Sequence, residues 1–318
     1  MQTVAGVPPL SNQVLIAANP KAGSGGRKQL LEQLVVQLSK RGLIASILTQ
    51  LDDTVSQANE LAAAGKLRAL VAAGGDGTAS LLVHRTSPQV PILVFPLGTE
   101  NLLAHYLHLR SKPEQAAQVI QDGHTLCLDA GSANGRAFLL MISCGFDADV
   151  VERLHHRRQG NITHWAYLKP IWDALRHYPF PNLRLTCKGM NDEHASVLAR
   201  WAFLFNLPCY AQGLAFCPQS DGHDGLLDLC TFTQGSAARG FWYLSNLLLR
   251  RHHRLADCHL GQYSKIRIEA DQRVPFQIDG DPCGELPVDI EILPRRWQAL
   301  VPRDWLLNRG LQLPVSEG

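Results

Sequence analysis

Asp76 stands between two glycines in the run Gly74–Thr78 (GGDGT). A carboxylate so placed has little local apolar surface to support. It can hold the magnesium that bridges nucleotide phosphates, or it can cap the helix that follows. Two more glycine-bearing runs share this setting after an apolar strand, Asn19–Arg27 (NPKAGSGGR) and Pro96–Asn101 (PLGTEN). Glycine lets backbone N–H groups approach phosphate oxygens closely, and a helix N-terminus favours an anion. Thr78 and Thr99 add hydroxyl donors. Each loop alone also reads as an ordinary strand-to-helix turn; three at successive strand ends argue together for a phosphate site. None matches the P-loop or the G-x-G-x-x-G dinucleotide pattern.

Further acids cluster later in the chain. Pro218–Asp228 (PQSDGHDGLLD) carries Asp221, Asp224 and Asp228 in a glycine-rich loop. It can offer oxygen ligands to a hard cation or serve as a solvated acidic turn. Asp279–Gly280–Asp281 sets two carboxylates around a glycine, and Asp-Gly between strands is also a turn signal. His155 and His156 lack a nearby Cys or acid to complete a zinc set. The basic runs Arg153–Arg158 and Arg250–Arg254 fit either an anionic membrane surface or helix C-termini, where cations are favoured. The eight cysteines form no C-x-x-C pair and read as reduced core thiols.

The elements that must position these groups change style along the chain. Strand patterns at Val14–Ala18, Leu43–Leu48, Arg68–Ala73 and Pro91–Phe95 alternate with helical ones at Arg27–Lys40, Val55–Ala64 and Glu100–Leu107. That alternation predicts a parallel sheet with helices on both faces. From about Leu126, strand follows strand: Ala137–Ser143, Leu183–Cys187, Val197–Asn206, Leu227–Thr231, Lys265–Ala270, Pro275–Ile278, Val288–Leu293 and Trp297–Val301. Helices are expected at Ala148–His156, Trp165–Tyr178 and Ser236–Arg250. We therefore expect an α/β domain over residues 11–126, a β-rich domain over 127–303, and a tail over 304–318 packed back on the first. No apolar stretch approaches the ~20 residues that span a bilayer, and the N-terminus does not resemble a signal peptide. A net charge of +2 does not suggest a nucleic-acid partner. Phe203, Phe205, Leu207 and Tyr210 are candidates for an acyl slot, although most such residues form core.

The ordered set Asn19–Gly23 (NP-x-x-G), Gly74–Thr78, Pro96–Asn101, Gly145–Ala148 (GFDA), Pro218–Asp228 and Asp279–Asp281 resembles the diacylglycerol kinase catalytic family. That family includes bacterial lipid kinases, sphingosine kinases and ceramide kinases. The resemblance runs from about Val14 to Pro302. It implies a nucleotide-binding α/β domain and a β-sandwich-like lipid domain, with the active site in the cleft between them. It also implies ATP and Mg2+ as cofactors and a lipid hydroxyl, of diacylglycerol or a sphingoid lipid, as acceptor. Nucleotide contacts carry over to Asn19, Pro20, Lys21, Ala22, Gly23, Gly74, Gly75, Asp76, Gly77, Thr78 and Thr99, with Thr49 a weaker match. Asp279 and Asp281 fall on the family's catalytic acid pair, where Asp281 is favoured as proton acceptor and the roles are exchangeable. Asp76 completes the catalytic set. A structural magnesium would fall to Asp221, Asp224 and the carbonyl of Leu226. The chain departs from the family where its final Glu is Asp281, one methylene and about 1.3 Å shorter. It departs again where Ala79, Ser80 and Leu81 replace Leu-Asn-Glu. GGDGT alone is shared with NAD kinases, so an NAD kinase-like enzyme and a catalytically weak nucleotide-binding regulator stand as alternatives. A lipid kinase would work in the cytoplasm, transiently at the inner membrane surface; a homodimer is compatible with this.

Overall fold

The computed structural model describes residues 4–8, 11–18, 25–156, 178–210 and 214–312. The expected Trp165–Tyr178 helix lies outside these residues except for Tyr178, which is not helical.

The chain forms two units, residues 1–129 with 294–318, and residues 130–293. In the first, after a short strand β1 (Val4–Gly6), come β2 (Gln13–Ala18), α1 (Gly25–Ser39), β3 (Ile44–Leu48), α2 (Leu51–Ala63), β4 (Leu67–Gly74), α3 (Asp76–Arg85), β5 (Pro91–Pro96), α4 (Leu102–Tyr106), α5 (Pro113–Asp122) and β6 (His124–Ala133). Strands β3, β2, β4 and β5 lie side by side in that order, all parallel. Every residue of β4 is buried, as a parallel strand covered on both faces requires. The covering helices turn their apolar stripes inward: Leu31, Leu34 and Leu38 of α1, Val55 and Ala58 of α2, Val119 and Ile120 of α5. Helix α5 escapes the strand–helix reading because its sequence is short and polar-rich. It has a proline at its start and Gly123 in the left-handed region at its end, both standard helix boundaries. The buried Arg68 holds that end, donating from Nε to the Ile120 carbonyl at 2.7 Å and also to the Gln121 carbonyl. Burial lowers the pKa of this guanidinium.

The second unit contains β7 (Arg136–Phe138), β8 (Met141–Gly145), α6 (Phe146–His156), β9 (Leu183–Lys188), β10 (His194–Ala199), β11 (Trp201–Phe205) and β12 (Leu227–Phe232). Helix Ala237–Leu248 then leads to β13 (Cys258–Tyr263), β14 (Lys265–Ala270), β15 (Pro275–Ile278), β16 (Asp281–Glu285) and β17 (Val288–Leu300). One antiparallel sheet runs β13-β12-β11-β8-β15-β16; the other runs β10-β9-β14 and the first half of β17. Their inner faces make one core. Ile142, Leu204, Leu229 and Ile278 come from the first sheet, and Leu185, Ile266, Ile268 and Ile290 from the second. This is a β-sandwich. Strand β9 shows the period of two cleanly, with Leu183, Leu185 and Cys187 buried and Arg184 and Thr186 exposed.

Several expected boundaries shift for identifiable reasons. Val197–Asn206 is two strands in different sheets, β10 and β11, with the chain crossing at Arg200. Val288–Leu293 and Trp297–Val301 are one strand, β17. Its irregular residue Arg295 takes φ 52° and donates its N–H to the Asp129 carboxylate at 2.6 Å. The division between units falls at 129/130 and 293/294, not 126/127 and 303/304. Gln298 and Ala299 of β17 pair parallel with Pro91 and Ile92 of β5, so the end of that strand belongs to the first unit. Residues 294–318 also belong there, and Trp305 donates its indole N–H to the Tyr106 carbonyl at 2.6 Å.

Candidate active-site residues

In the first unit the chain runs β2, then β3 on one side, then β4 on the other. The order of strands therefore reverses between β2 and β4, the position at which open α/β sheets place ligands beyond their C-terminal strand ends. Ala18, the last residue of β2, is paired with Ala73 of β4, and Gly74 with Pro96 of β5. The ends of β2, β4 and β5 therefore lie level at this one edge. Asn19, Pro20, Lys21, Ala22 and Gly23 lie outside the described residues. The loops after β4 and β5 are knit to each other. Leu97 donates its N–H to the Gly74 carbonyl at 2.9 Å. Gly98 approaches so closely that a Cβ there would lie 2.6 Å from the Gly75 Cα, which leaves room only for glycine. Asn101, at φ 50°, clamps Gly98 from both sides, accepting its N–H and donating to its carbonyl, each at 2.9 Å.

Asp76 joins this arrangement from α3. Its two carboxylate oxygens accept the N–H groups of Leu102 and Leu103 at 2.9 and 3.0 Å. It therefore caps α4, two loops downstream, and not α3, which it begins. Burial raises its pKa; the two backbone bonds and His105 oppose that shift. Gly75 and Thr78 are half-buried beside it, while Gly77, Thr99 and Thr49, just past β3, are exposed.

In the second unit, Ile278 and Asp281 pair across a two-residue turn between β15 and β16. Asp279 and Gly280 both take positive φ, 50° and 89°, as a type I′ hairpin requires. A Cβ on Gly280 would meet nothing within 4 Å, so backbone conformation, not space, calls for glycine. The two aspartates are differently engaged. Asp279 accepts three backbone N–H groups, from Leu139, Leu140 and Met141, at 2.9, 2.9 and 3.0 Å. This explains why Ala137–Ser143 is not one strand: β7 and β8 are separated where these donors turn to the carboxylate. Asp281 is half-buried, and its carboxylate makes no hydrogen bond or ion pair with another described residue.

Under this turn lies a polar network that the sequence reading did not assign. Gln277 is paired in register with Ser143, and each interrupts an otherwise apolar strand; that shared interruption was the available signal. Gln277 accepts the Gly280 N–H at 2.8 Å and donates to Ser143 Oγ at 2.9 Å and Asp147 Oδ2 at 3.2 Å. Ser143 and Tyr210 also donate to Asp147. Burial raises the Asp147 pKa against those three hydrogen bonds, and burial together with Asp147 raises that of Tyr210. Tyr210 thus has a polar role, while Phe203, Phe205 and Leu207 are buried core.

The acidic loop folds through Gly222 and Gly225, both at positive φ. A His223 ring nitrogen lies 2.7 Å from an Asp221 oxygen, and Asp224 accepts the Leu226 N–H at 3.0 Å. Asp228 is buried at the start of β12, with its pKa raised by burial. Among the described residues no three His, Cys, Asp or Glu side chains converge as a metal cage. Two carboxylates and a carbonyl are nonetheless hard oxygen donors, the chemistry magnesium prefers.

A parallel α/β unit with knitted glycine loops and an antiparallel sandwich with an acidic hairpin describe a class of kinase. The diacylglycerol kinase catalytic domain matches residues 13–133, and the YegS C-terminal NAD kinase beta sandwich-like domain matches 140–301. The chain belongs to the diacylglycerol kinase catalytic-domain family and is an enzyme of that kinase family. It is 27% identical over 303 residues to a diacylglycerol kinase of Mycobacterium tuberculosis, covering 92% of this chain and 96% of the relative. A crystal structure of a diacylglycerol kinase from Bacillus anthracis shares the fold, with a TM-score of 0.64 at 18% identity, covering 92% of this chain and 98% of that one. A yeast NADH kinase structure shares it more distantly, with a TM-score of 0.52 at 15% identity, covering 97% and 91%.

Proposed function

We propose that this chain transfers the γ-phosphoryl group of ATP to the hydroxyl of a lipid such as diacylglycerol or a sphingoid lipid. Family membership supports the reaction class, and the full-length similarity to a relative named diacylglycerol kinase supports the acceptor. The observation that carries the reading is the division of labour in the Asp279–Asp281 hairpin. Phosphoryl transfer asks the protein mainly for positioning and charge, with one group to receive the hydroxyl proton. Asp279 is committed to three backbone donors and fixes the turn. Asp281, two residues on and free of such partners, takes the proton from the lipid hydroxyl. Backbone N–H groups of the loops after β2, β4 and β5 hold the phosphates, and Asp76 keeps two of these loops in register by capping α4. Magnesium, when bound by Asp221, Asp224 and the Leu226 carbonyl, supplies positive charge and order to the acidic loop. No helix among the described residues is long and apolar enough to cross a membrane; in this reading an acceptor held in a bilayer is met at the membrane surface, on the cytoplasmic side.

The test is transfer of label from γ-labelled ATP, with magnesium, to diacylglycerol and sphingoid lipids in mixed micelles, with NAD as a parallel acceptor. Labelled lipid in the organic phase is expected. Labelled NADP, or ATP binding with no transfer to any acceptor, would overturn the proposal.

A further inference from the structure

The helix Ala237–Leu248 faces the wrong way for a core helix. Tyr243, Asn246 and Leu247 are buried, while Phe241, Trp242, Leu244, Leu248 and Leu249 are 49%, 52%, 42%, 67% and 63% exposed. Five of the twelve exposed large hydrophobic residues found among the described residues thus fall within nine positions, which makes them one patch, not scattered singles. At about 100° per residue, Leu244, Leu248, Phe241, Leu249 and Trp242 spread over roughly 160° of the helix, opposite the buried stripe.

The helix is firmly seated on its inner side. The Tyr243 ring stacks on Phe232 with centroids 4.2 Å apart, and its hydroxyl donates to Asp257 at 2.7 Å. Ser236 caps the first turn, accepting the Arg239 N–H at 3.2 Å. The helix is therefore held in place by contacts of its inner side and first turn, while the outward side chains stay exposed.

Charge follows directly. Arg250, Arg251, His253 and Arg254 are exposed in the turn after the helix, and none of the three arginines pairs with an acid among the described residues. No Asp or Glu occurs from Gly235 to Ala256. An aromatic and leucine face edged by arginines is the pattern of a helix lying in the plane of a membrane interface. A protein partner would need acids to match the arginines and a groove to take the apolar residues; an anionic bilayer offers both at once.

We propose that this helix and the turn after it form the surface by which the chain docks on an anionic lipid bilayer, Phe241, Trp242 and Leu248 entering the interface while Arg250, Arg251 and Arg254 meet lipid phosphates. The proposal rests on the lipid-kinase reading for its purpose but not for its test. The helix is too short to span a bilayer and lies along it.

Flotation of the full chain with phosphatidylcholine vesicles containing phosphatidylglycerol, against phosphatidylcholine alone, tests it. Wild type is expected to float with the anionic vesicles. The variant F241S/W242S/L248S and the variant R250Q/R251Q/R254Q should each bind at least tenfold more weakly, the second by about a hundredfold. Both should keep the wild-type melting temperature and wild-type turnover on a short-chain, water-dispersed diacylglycerol. Unchanged vesicle binding in both variants, or no binding by wild type, overturns the proposal. So does a wild-type dimer in sedimentation velocity that becomes monomeric in the serine variant without change in vesicle binding, since the face would then be a contact between copies. Loss of vesicle binding in variants of a chain that phosphorylates no lipid would keep the docking surface and remove the kinase reading.

Discussion

Replacing Asp279 by alanine should unfold the second unit early, and the size of the effect follows from its hydrogen bonds. Three backbone donors lose their acceptor at once, those of Leu139, Leu140 and Met141. All three residues are at most 3% exposed, so water cannot readily replace the carboxylate. An unsatisfied buried donor costs about 1–3 kcal/mol; allowing local relaxation, we expect a loss of about 3–5 kcal/mol. For a unit of this size each kcal/mol moves the melting temperature by about 2–4 °C, giving a fall of roughly 6–20 °C. Asp279→Asn keeps an oxygen for Leu140 and Met141 but turns an amide NH2 toward the Leu139 N–H, so about a third of the loss is expected. Asp281→Ala, which breaks no described hydrogen bond, should melt within about 2 °C of wild type, keep ATP affinity and lose turnover. Thermal melts by circular dichroism and steady-state kinetics on the same preparations separate these outcomes. An Asp279→Ala protein melting like wild type, or an Asp281→Ala protein that turns over normally, would refute the assignment of anchor and proton acceptor.

Three further outcomes are expected. Gly98→Ala puts a Cβ 2.6 Å from the Gly75 Cα and 2.8 Å from Asn101 Oδ1, a clash with backbone that costs about 1–3 kcal/mol; ATP affinity by calorimetry should fall at least fivefold. Arg68→Met strips the donor from the Ile120 and Gln121 carbonyls at the end of α5 and should destabilise the first unit by about 2 kcal/mol in urea unfolding. Asp147 has its folded pKa raised by burial, so the native state binds the extra proton and this group's contribution to stability falls as pH rises from about 4 to the raised value, then levels. In urea unfolding across that range, Asp147→Asn should gain on wild type with rising pH; a difference that is flat or runs the other way would count against a buried, destabilised carboxylate.

Much of this molecule was legible from periodicity. Runs apolar but for one residue, such as Arg68–Ala73, and alternating ones such as Leu183–Cys187 are strands in the structure, because burial on two faces or one leaves different patterns. What was not legible depended on partners distant in sequence. The break between β7 and β8 is written at Asp279, about 140 residues away, and no local pattern in Ala137–Ser143 announces it. The unity of β17 depends on Asp129 receiving the N–H of Arg295. Helix α5 is hard to read because it is short and polar-rich, two of its four buried apolar residues are alanine, and only its proline and glycine boundaries stand out.

The aspartates show the same limit where it matters most for chemistry. Asp76 and Asp279 each touch glycine in sequence, as Asp281 does, and composition alone cannot rank them as catalysts. What separates them is the supply of backbone donors. Asp76 faces the open N-terminus of α4, and Asp279 faces three N–H groups freed by an interrupted strand, so both also hold the fold together. The Asp281 carboxylate has no donor of that kind among the described residues. The turn beneath it is held by the Gly280 N–H bound to Gln277, itself fixed by Ser143 and Asp147. Gln277→Leu should lower kcat on the lipid while leaving ATP affinity unchanged, because it loosens the hairpin that carries Asp281 without touching the glycine loops.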